Sequence, residues 1–537
     1  MADGEKAWGT RVVAIEARFL ELGGGGTGGG GGQFWSEHSA SGEERPGLRE
    51  GRVISPSLDD FPMLRPNTFQ RVNDHPLSTF SIDVDTASYS VVRSFLNQGT
   101  LPPRDAVRVE EMINYFPYDY APPADGTPFS SSMEVAACPW NANHLLLRIG
   151  LKGREIPMEE RPPLNLVYLI DVSGSMRSPN RLPLVKRALT ALAHQLDERD
   201  QVAIVVYAGA TGLVLPSTSG ADTQAILDAI NGLEARGSTA GSAGIQLAYK
   251  TALEQFREGE VNRVILCTDG DFNVGITHRG DLERFIEEKA ESGVSLTVLG
   301  FGMGNIKDST LEILSNKGNG NYAYIDDFNE ARKVLVDQML GTLVTIAKDV
   351  KIQVEFNPAT VAGYRLIGYE NRILQKEDFN NDEVDAGDIG AGHTVTAFYE
   401  LVPAGQPVPD APPEVDPLRY QVEPPTVREN EEELLTLKLR YKEPEGDASK
   451  LLTFPLGLDA VPEDWDGQHT PSPDFQFASA VAAYGMVLRD PAFAKSMPWE
   501  RILSLAESAK GDDPHGYRTE FIRLIRNAMA LPRTEGE

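Results

Sequence analysis

From residue 164 onward, short apolar runs alternate with stretches whose apolar residues return every three or four positions. The runs are Leu166-Val167-Tyr168-Leu169-Ile170, Val202 to Tyr207, Val264-Ile265-Leu266-Cys267-Thr268 and the segment from Leu296 to Gly300. Their length and β-branched content predict buried strands. Between them Leu182, Val185, Leu189, Leu192 and Leu196 fall at helical spacing, and helices are also expected from Ala243 to Phe256 and around Ala331 to Ile346. Strand and helix alternating in this way predict an α/β fold, a doubly wound, mostly parallel, Rossmann-like sheet covered on both faces.

The flanks carry other periods. Phe80 to Asp85 reads as a short strand, followed by a helix with Tyr89, Val92 and Leu96 on one face and Gly99 as its stop. A second helix is expected from Asp105, with Val109, Met112, Ile113 and Phe116 on one side. Past residue 348 the period becomes two: Ile352, Val354 and Phe356, then Leu435, Leu437, Leu439 and Tyr441, alternate with polar residues. Such strands are half-buried members of an antiparallel sheet. The Pro-rich acidic stretch from Pro403 to Glu433 reads as an exposed loop. Three closing helices follow, with stripes through Phe477 and Val481, Ile502 and Leu505, and Phe521 and Leu524.

The expected organisation is a disordered Gly-rich leader over 1–66, a small α/β amino-terminal domain over 67–160, the central sheet domain over 161–347, and a β-rich carboxy-terminal domain ending in helices over 348–537. Three domains suit a chain of 537 residues.

Composition narrows the function. A net charge of −29 without a cluster of Lys and Arg excludes phosphate-backbone binding, so no nucleic acid partner is expected. No stretch approaches the ~20 apolar residues of a membrane span. Cys138 and Cys267 lie in different predicted domains and are not expected to pair. The apolar segment Val12 to Leu22 is interrupted by Glu16, Arg18 and Glu21, which no signal-peptide core tolerates. Either the protein is cytoplasmic or the given start is not the natural one.

The candidate chemistry lies where the central strands end. Asp171-Val172-Ser173-Gly174-Ser175 follows the first run, Asp269-Gly270 follows the third, and Gly237-Ser238-Thr239-Ala240-Gly241 opens a helix between them. The carboxyl edge of an open α/β sheet is where loops converge on ligands. A DxSxS pentad alone is weak, since chance alone should produce one in on the order of one chain in ten of this length. The context strengthens it, because loops that present hydroxyls and carboxylates suit a hard cation such as Mg2+, which takes about six oxygens at roughly 2.0 to 2.1 Å.

In that order on alternating strands and helices, these residues resemble the metal-ion-dependent adhesion site of von Willebrand factor type A domains. The resemblance implies direct or nearly direct contact to the metal from Ser173, Ser175 and Thr239, with Asp171 and Asp269 acting largely through bound water. It implies Mg2+, with Mn2+ or Ca2+ as alternatives, and a protein partner that offers an Asp or Glu to the open position. From about Asn67 to Leu531, the chain is similar to a narrower bacterial group, the YfbK-type proteins. The similarity includes Asp83-Val84-Asp85-Thr86-Ala87-Ser88-Tyr89 and Gly511-Asp512-Asp513-Pro514. Members typically carry an export or lipoprotein signal, which implies the cell envelope; this sequence as given departs from that. The expected function is metal-dependent protein binding or scaffolding without catalysis, the alternative being a cytoplasmic adaptor of an AAA+ ATPase.

One enzyme reading competes. Asp83-Val84-Asp85-Thr86 is similar to the strand-end motif of haloacid-dehalogenase-like phosphotransferases, in which paired carboxylates work with Mg2+. Ala87 stands where that motif needs Thr or Val. The eight histidines form no HExxH pair, and neither a G-x-S-x-G elbow nor a GxxxxGK[ST] loop occurs. Asp378 to Asp382 opens like a calcium loop, but Glu383 and Ile389 replace the glycine and the bidentate Glu that such a loop requires.

Overall fold

The computed structural model describes residues 61–532 apart from 84, 125, 209–210, 237–241, 271–278, 303–306, 411–431 and 462–469. The expected leader therefore lies outside the described residues as far as residue 60, as does most of the Pro-rich stretch.

Six strands form the central sheet: β1 (Leu164–Asp171), β2 (Gln201–Tyr207), β3 (Thr211–Ser219), β4 (Val261–Thr268), β5 (Ser295–Phe301) and β6 (Tyr322–Ile325). They lie in the order β6-β5-β4-β1-β2-β3, parallel throughout except for the edge strand β3, which pairs antiparallel with β2. All eight residues of β1 are buried, which explains its unbroken apolar run. Leu166, Tyr168 and Ile170 point into one core with Leu182, Val185 and Leu189 of helix α1 (Leu182–Ala193). Val167 and Leu169 point into the opposite core, which includes Ile245 and Ala248. The sheet is doubly wound. Because β1 has β2 on one side and β4 on the other, the strand order reverses there, and a crevice opens beyond its carboxyl end.

The flanking segments interleave. Leu77–Ser81 pairs with Thr345–Phe356, which pairs on its other side with Glu433–Lys442 and through it reaches Ser449–Gly457. In a second antiparallel sheet, Gln70–Arg71, Val361–Ile367, Thr394–Pro403, Leu145–Gly153 and Phe129–Ala137 are neighbours in that order. Strands expected in separate units, over 67–160 and 348–537, are therefore hydrogen-bonded into shared sheets. The carboxy-terminal helices Pro473–Arg489, Trp499–Ser508 and Tyr517–Ala530 form one core with Tyr89, Val92, Met112 and Phe116 of the amino-terminal segment.

Several expected boundaries move. The strand expected over 80–85 is Leu77–Ser81, set by its pairing partner. The helix expected from Asp105 is a single tight turn, Arg104–Ala106, and then a helix over Val109–Asn114, separated by extended backbone at Arg108. The helix expected to reach Ile346 is broken into Phe328–Arg332, a π turn over Lys333–Asp337 and Met339–Leu343, after which a strand begins at Thr345. The β-branched run Val344-Thr345-Ile346 favours that strand. Phe129–Ala137 carries too little alternation, and Leu145–Gly153 too much burial, for period two to reveal either. Both cysteines are buried and free. Among the described residues no helix is long and apolar enough to cross a membrane.

Three buried guanidiniums tie the segments together. Arg93 binds Asp326 and Glu330 beside the central sheet and Glu520 of the last helix, the last two at 2.7 and 2.9 Å. Arg108 binds Asp308 and lies 3.2 Å from Glu312. Arg372 reaches Glu312 at 2.7 Å and Asp83 at 2.8 Å. The surplus of buried carboxylates leaves some without a cation. Burial, reinforced by the charge of Glu370, pushes the Glu110 carboxyl up to about 7. Among the described residues, one oxygen of each of these two side chains has no hydrogen-bond partner.

The raised value means that the fold favours neutral Glu110. Its stabilising contribution is whole below the ordinary value of 4.5 and is lost as pH rises through about 7. Glu110→Gln, which is neutral at every pH, should match the parent near pH 4 and exceed it above pH 7. The gain should be at most about 3 kcal/mol. Urea midpoints across that range measure it, and parallel pH profiles for the two proteins would contradict the assignment.

Candidate functional site

Asp171 is the last residue of β1, and Asp269 follows the last residue of β4. These strands are adjacent and parallel, so the two carboxylates sit side by side at the crevice where strand order reverses. Both are at the floor of the site, with 0% and 2% of their surface exposed. Ser173 is buried beside them, whereas Ser175 is exposed at the rim. The site is therefore carboxylate at its base and hydroxyl toward solvent.

Local hydrogen bonds shape the first loop. Asp171 Oδ1 accepts the Ser173 backbone N–H at 2.8 Å, a turn in which an Asp side chain bonds the backbone two residues on. That turn leads into a 3₁₀ segment over Gly174–Arg177 and brings Ser173 Oγ to 2.9 Å from Ser175 Oγ. Val172 N–H donates to Tyr207 O at 3.0 Å, fastening the loop to the end of β2. Its own carbonyl accepts from Arg236 N–H at 2.7 Å. That bond holds the chain just before the segment carrying Thr239, which lies outside the described residues together with Asp271. After Asp269, Gly270 has φ +100°, a conformation that favours glycine, and its N–H donates to Thr268 Oγ1 at 3.3 Å.

The carboxylates are only partly satisfied. Asp269 Oδ2 accepts from Arg181 Nη1 at 2.7 Å, while Oδ1, buried, has no hydrogen-bond partner among the described residues. Asp171 Oδ2 likewise has no partner there with hydrogen-bond geometry, although the Tyr207 hydroxyl lies near enough to lower its pKa. Burial is the largest influence on Asp171 and pushes it up to about 6 against hydrogen bonds from Ser173 that pull it down; the neighbouring Asp269 charge adds to the rise. Two buried carboxylates with idle oxygens beside two hydroxyls form an all-oxygen donor set that fits a hard divalent cation. Among the described residues, no group of three His, Cys, Asp or Glu side chains is arranged to hold a metal, so a cation here would need the serines.

Sequence reasoning missed Arg181 and Tyr207. Arg181 stands 88 residues from Asp269, and no spacing rule connects a residue before α1 to the end of β4.

The competing carboxylate pair has a different environment. Arg372 binds Asp83 at 2.8 Å and lies 3.4 Å from Asp85, and Asp85 Oδ1 accepts the Tyr322 N–H at 2.9 Å. Burial raises both carboxyls; Arg372 lowers both, and the charge of Asp83 raises Asp85 further. These contacts fasten the amino-terminal segment to β6 and to Arg372. Asp378–Asn380 forms a single tight turn with Phe379 buried.

Helix α2 (Thr223–Gly232) precedes the Thr239 segment, and helix α3 (Ser242–Glu254) follows it. Gly244 in α3 lies against Tyr207, where an added Cβ would stand 2.7 Å from the Tyr207 Cβ. Gly244→Ala should therefore push the start of α3 off the sheet and cost about 1–3 kcal/mol, the usual range for overpacking. A denaturant midpoint equal to the parent's would show that the helix seat is looser than this.

Comparison with known proteins follows this geometry. The von Willebrand factor type A domain model matches residues 165–338. A model described as von Willebrand factor matches 56–148, and one described as the carboxy-terminal part of uncharacterized protein YfbK matches 341–531. The chain is 46% identical over 484 residues to uncharacterized protein YfbK of Escherichia coli (strain K12), which covers 89% of this chain and 82% of that one. It is 31% identical over 188 residues to uncharacterized protein sll0103 of Synechocystis, covering 34% of this chain and 43% of that one. Among solved structures, a von Willebrand factor type A protein from Catenulispora acidiphila aligns with 74% of this chain and 89% of its own. Its identity is 15% and its TM-score 0.40.

Proposed function

The chain belongs to the YfbK-type proteins with a von Willebrand factor type A domain, and from that membership we propose that it is a metal-dependent protein-binding or scaffolding protein. Its ligand is an Asp or Glu side chain of a partner, received at a divalent-cation site, with Mg2+ as the resident ion, formed by Asp171, Ser173, Ser175, Thr239 and Asp269. The observation that carries this reading is the pair of buried carboxylates at neighbouring strand ends, each with one oxygen that has no hydrogen-bond partner among the described residues, next to two serine hydroxyls 2.9 Å apart.

A bound divalent cation would supply an electrophile for the incoming carboxylate. The protein's own residues do the rest. Asp171 orients the loop by accepting the Ser173 N–H, so that both serine hydroxyls face the same space. Burial keeps Asp171 and Asp269 away from bulk water, which strengthens their attraction for any cation beside them. Ser175 at the rim lets a partner's side chain approach from solvent.

Calorimetry and thermal unfolding with Mg2+ and with Mn2+ test the site. Metal at 100 times its dissociation constant should add about 2.7 kcal/mol of stability, and Asp171→Asn and Ser173→Ala should each abolish the gain. Capture of an Asp-rich peptide should require metal and fail in EDTA. No heat and no stabilisation by either ion in the unmodified protein would remove the site. Metal-dependent phosphatase activity lost in Asp83→Asn but kept in Asp171→Asn would replace the proposal with the enzyme reading.

A further inference from the structure

Arg181 already delivers a positive charge into this donor set. Its Nη1 donates to Asp269 Oδ2 at 2.7 Å and to the Ser175 carbonyl at 2.9 Å, so one guanidinium spans the loop after β1 and the loop after β4. The side chain is 16% exposed and the Asp269 side chain not at all. The position is built for it. The Arg181 stem lies flat on Gly302, just past the end of β5, whose backbone has φ +81° and where an added Cβ would fall 2.7 Å from the Arg181 Cγ. Any larger residue at 302 would displace the guanidinium.

From this geometry we infer that Arg181 is a tethered counter-cation of the metal site: it holds Asp269 in place when no metal is bound and opposes the metal electrostatically when one is. The inference rests on the metal-binding reading of the site. A buried carboxylate without a cation is costly, so Arg181 stabilises the metal-free protein. Once a doubly charged ion shares the same donor set, the guanidinium repels it, and the Arg181 contact is worth less than before. Whatever stabilises the metal-free form more than the metal-bound form must weaken metal affinity by the same factor, because the two states are linked in one thermodynamic cycle.

This gives Arg181 a signature that a merely structural residue lacks. Loss of a structural brace weakens both folding and metal binding. Loss of a tethered counter-cation weakens the metal-free fold and tightens metal binding. It also makes the site adjustable, since Arg181 offsets the charge at the two strand ends through Asp269 Oδ2 and does not engage Oδ1, which has no hydrogen-bond partner among the described residues.

The experiment uses the full chain, with Mg2+ and Mn2+ titrated calorimetrically and thermal midpoints recorded in EDTA. Arg181→Gln should unfold at a lower temperature in EDTA and bind metal roughly fivefold or more tightly than the parent, a typical coupling between sites in contact. Arg181→Lys, which keeps the charge, should bind metal within about twofold of the parent, a difference well inside that coupling, and this arm remains readable if the Gln variant folds poorly. Gly302→Ala, which displaces the guanidinium without deleting it, should shift affinity in the same direction as Arg181→Gln. Weaker or unchanged affinity in Arg181→Gln would overturn the counter-cation role while leaving the metal site standing. Absence of metal binding in the unmodified protein would overturn both, and no ordering among the variants could imitate that result.

Discussion

The buried guanidinium of Arg93 is the contact on which the assembly of this molecule depends. It belongs to the helix Ala87–Asn97, yet its partners are Asp326 and Glu330 at the end of the central domain and Glu520 in the last helix. A buried charge left without its partners is strongly destabilising, so this single side chain obliges three distant stretches of sequence to meet. Tyr115 reinforces the arrangement: it stacks on Tyr89 at 3.7 Å and donates its hydroxyl to Glu330. Arg108 and Arg372 repeat the device elsewhere, and together the three cations offset a concentration of buried acids.

The flanking segments surround the central sheet domain in sequence but join each other in space. Thr345–Phe356 leaves the central domain and is hydrogen-bonded to Leu77–Ser81 on one side and to Glu433–Lys442 on the other. A long central insertion between halves of one sheet brings its two ends close together. The central domain is therefore held at both ends by one body, with Arg93 and Arg108 fixing its side.

At the candidate site, the same electrostatic logic is left incomplete. Arg93, Arg108 and Arg372 each meet more than one acid. Among the described residues, by contrast, Asp171 Oδ2 and Asp269 Oδ1 have no hydrogen-bond partner, and Arg181 reaches only the other oxygen of Asp269. That shortfall, at the one edge where the strand order reverses, distinguishes this acid pair from Asp83 and Asp85, which share Arg372.

The central strands, their alternation with helices and the placement of Asp171 and Asp269 at strand ends were legible in the sequence. Burial on both faces leaves unbroken apolar runs, and helices on both faces leave a 3.6-residue period. The closing helices were legible for the same reason. The flanking strands Phe129–Ala137 and Leu145–Gly153 were not, because their partners, not their own residues, make them strands. The break in the helix after Arg332 was also hidden: a buried Lys333 whose Nζ donates to the Tyr115 carbonyl can be seen only once residues 218 apart are adjacent. By itself the sequence determined the local periods and the residue types at each strand end, since those depend on neighbours a few positions away. The tertiary structure decided which carboxylates gain a cation, which keep an idle oxygen, and that Arg181 reaches Asp269, because pairing and desolvation depend on the positions of residues far apart in the chain.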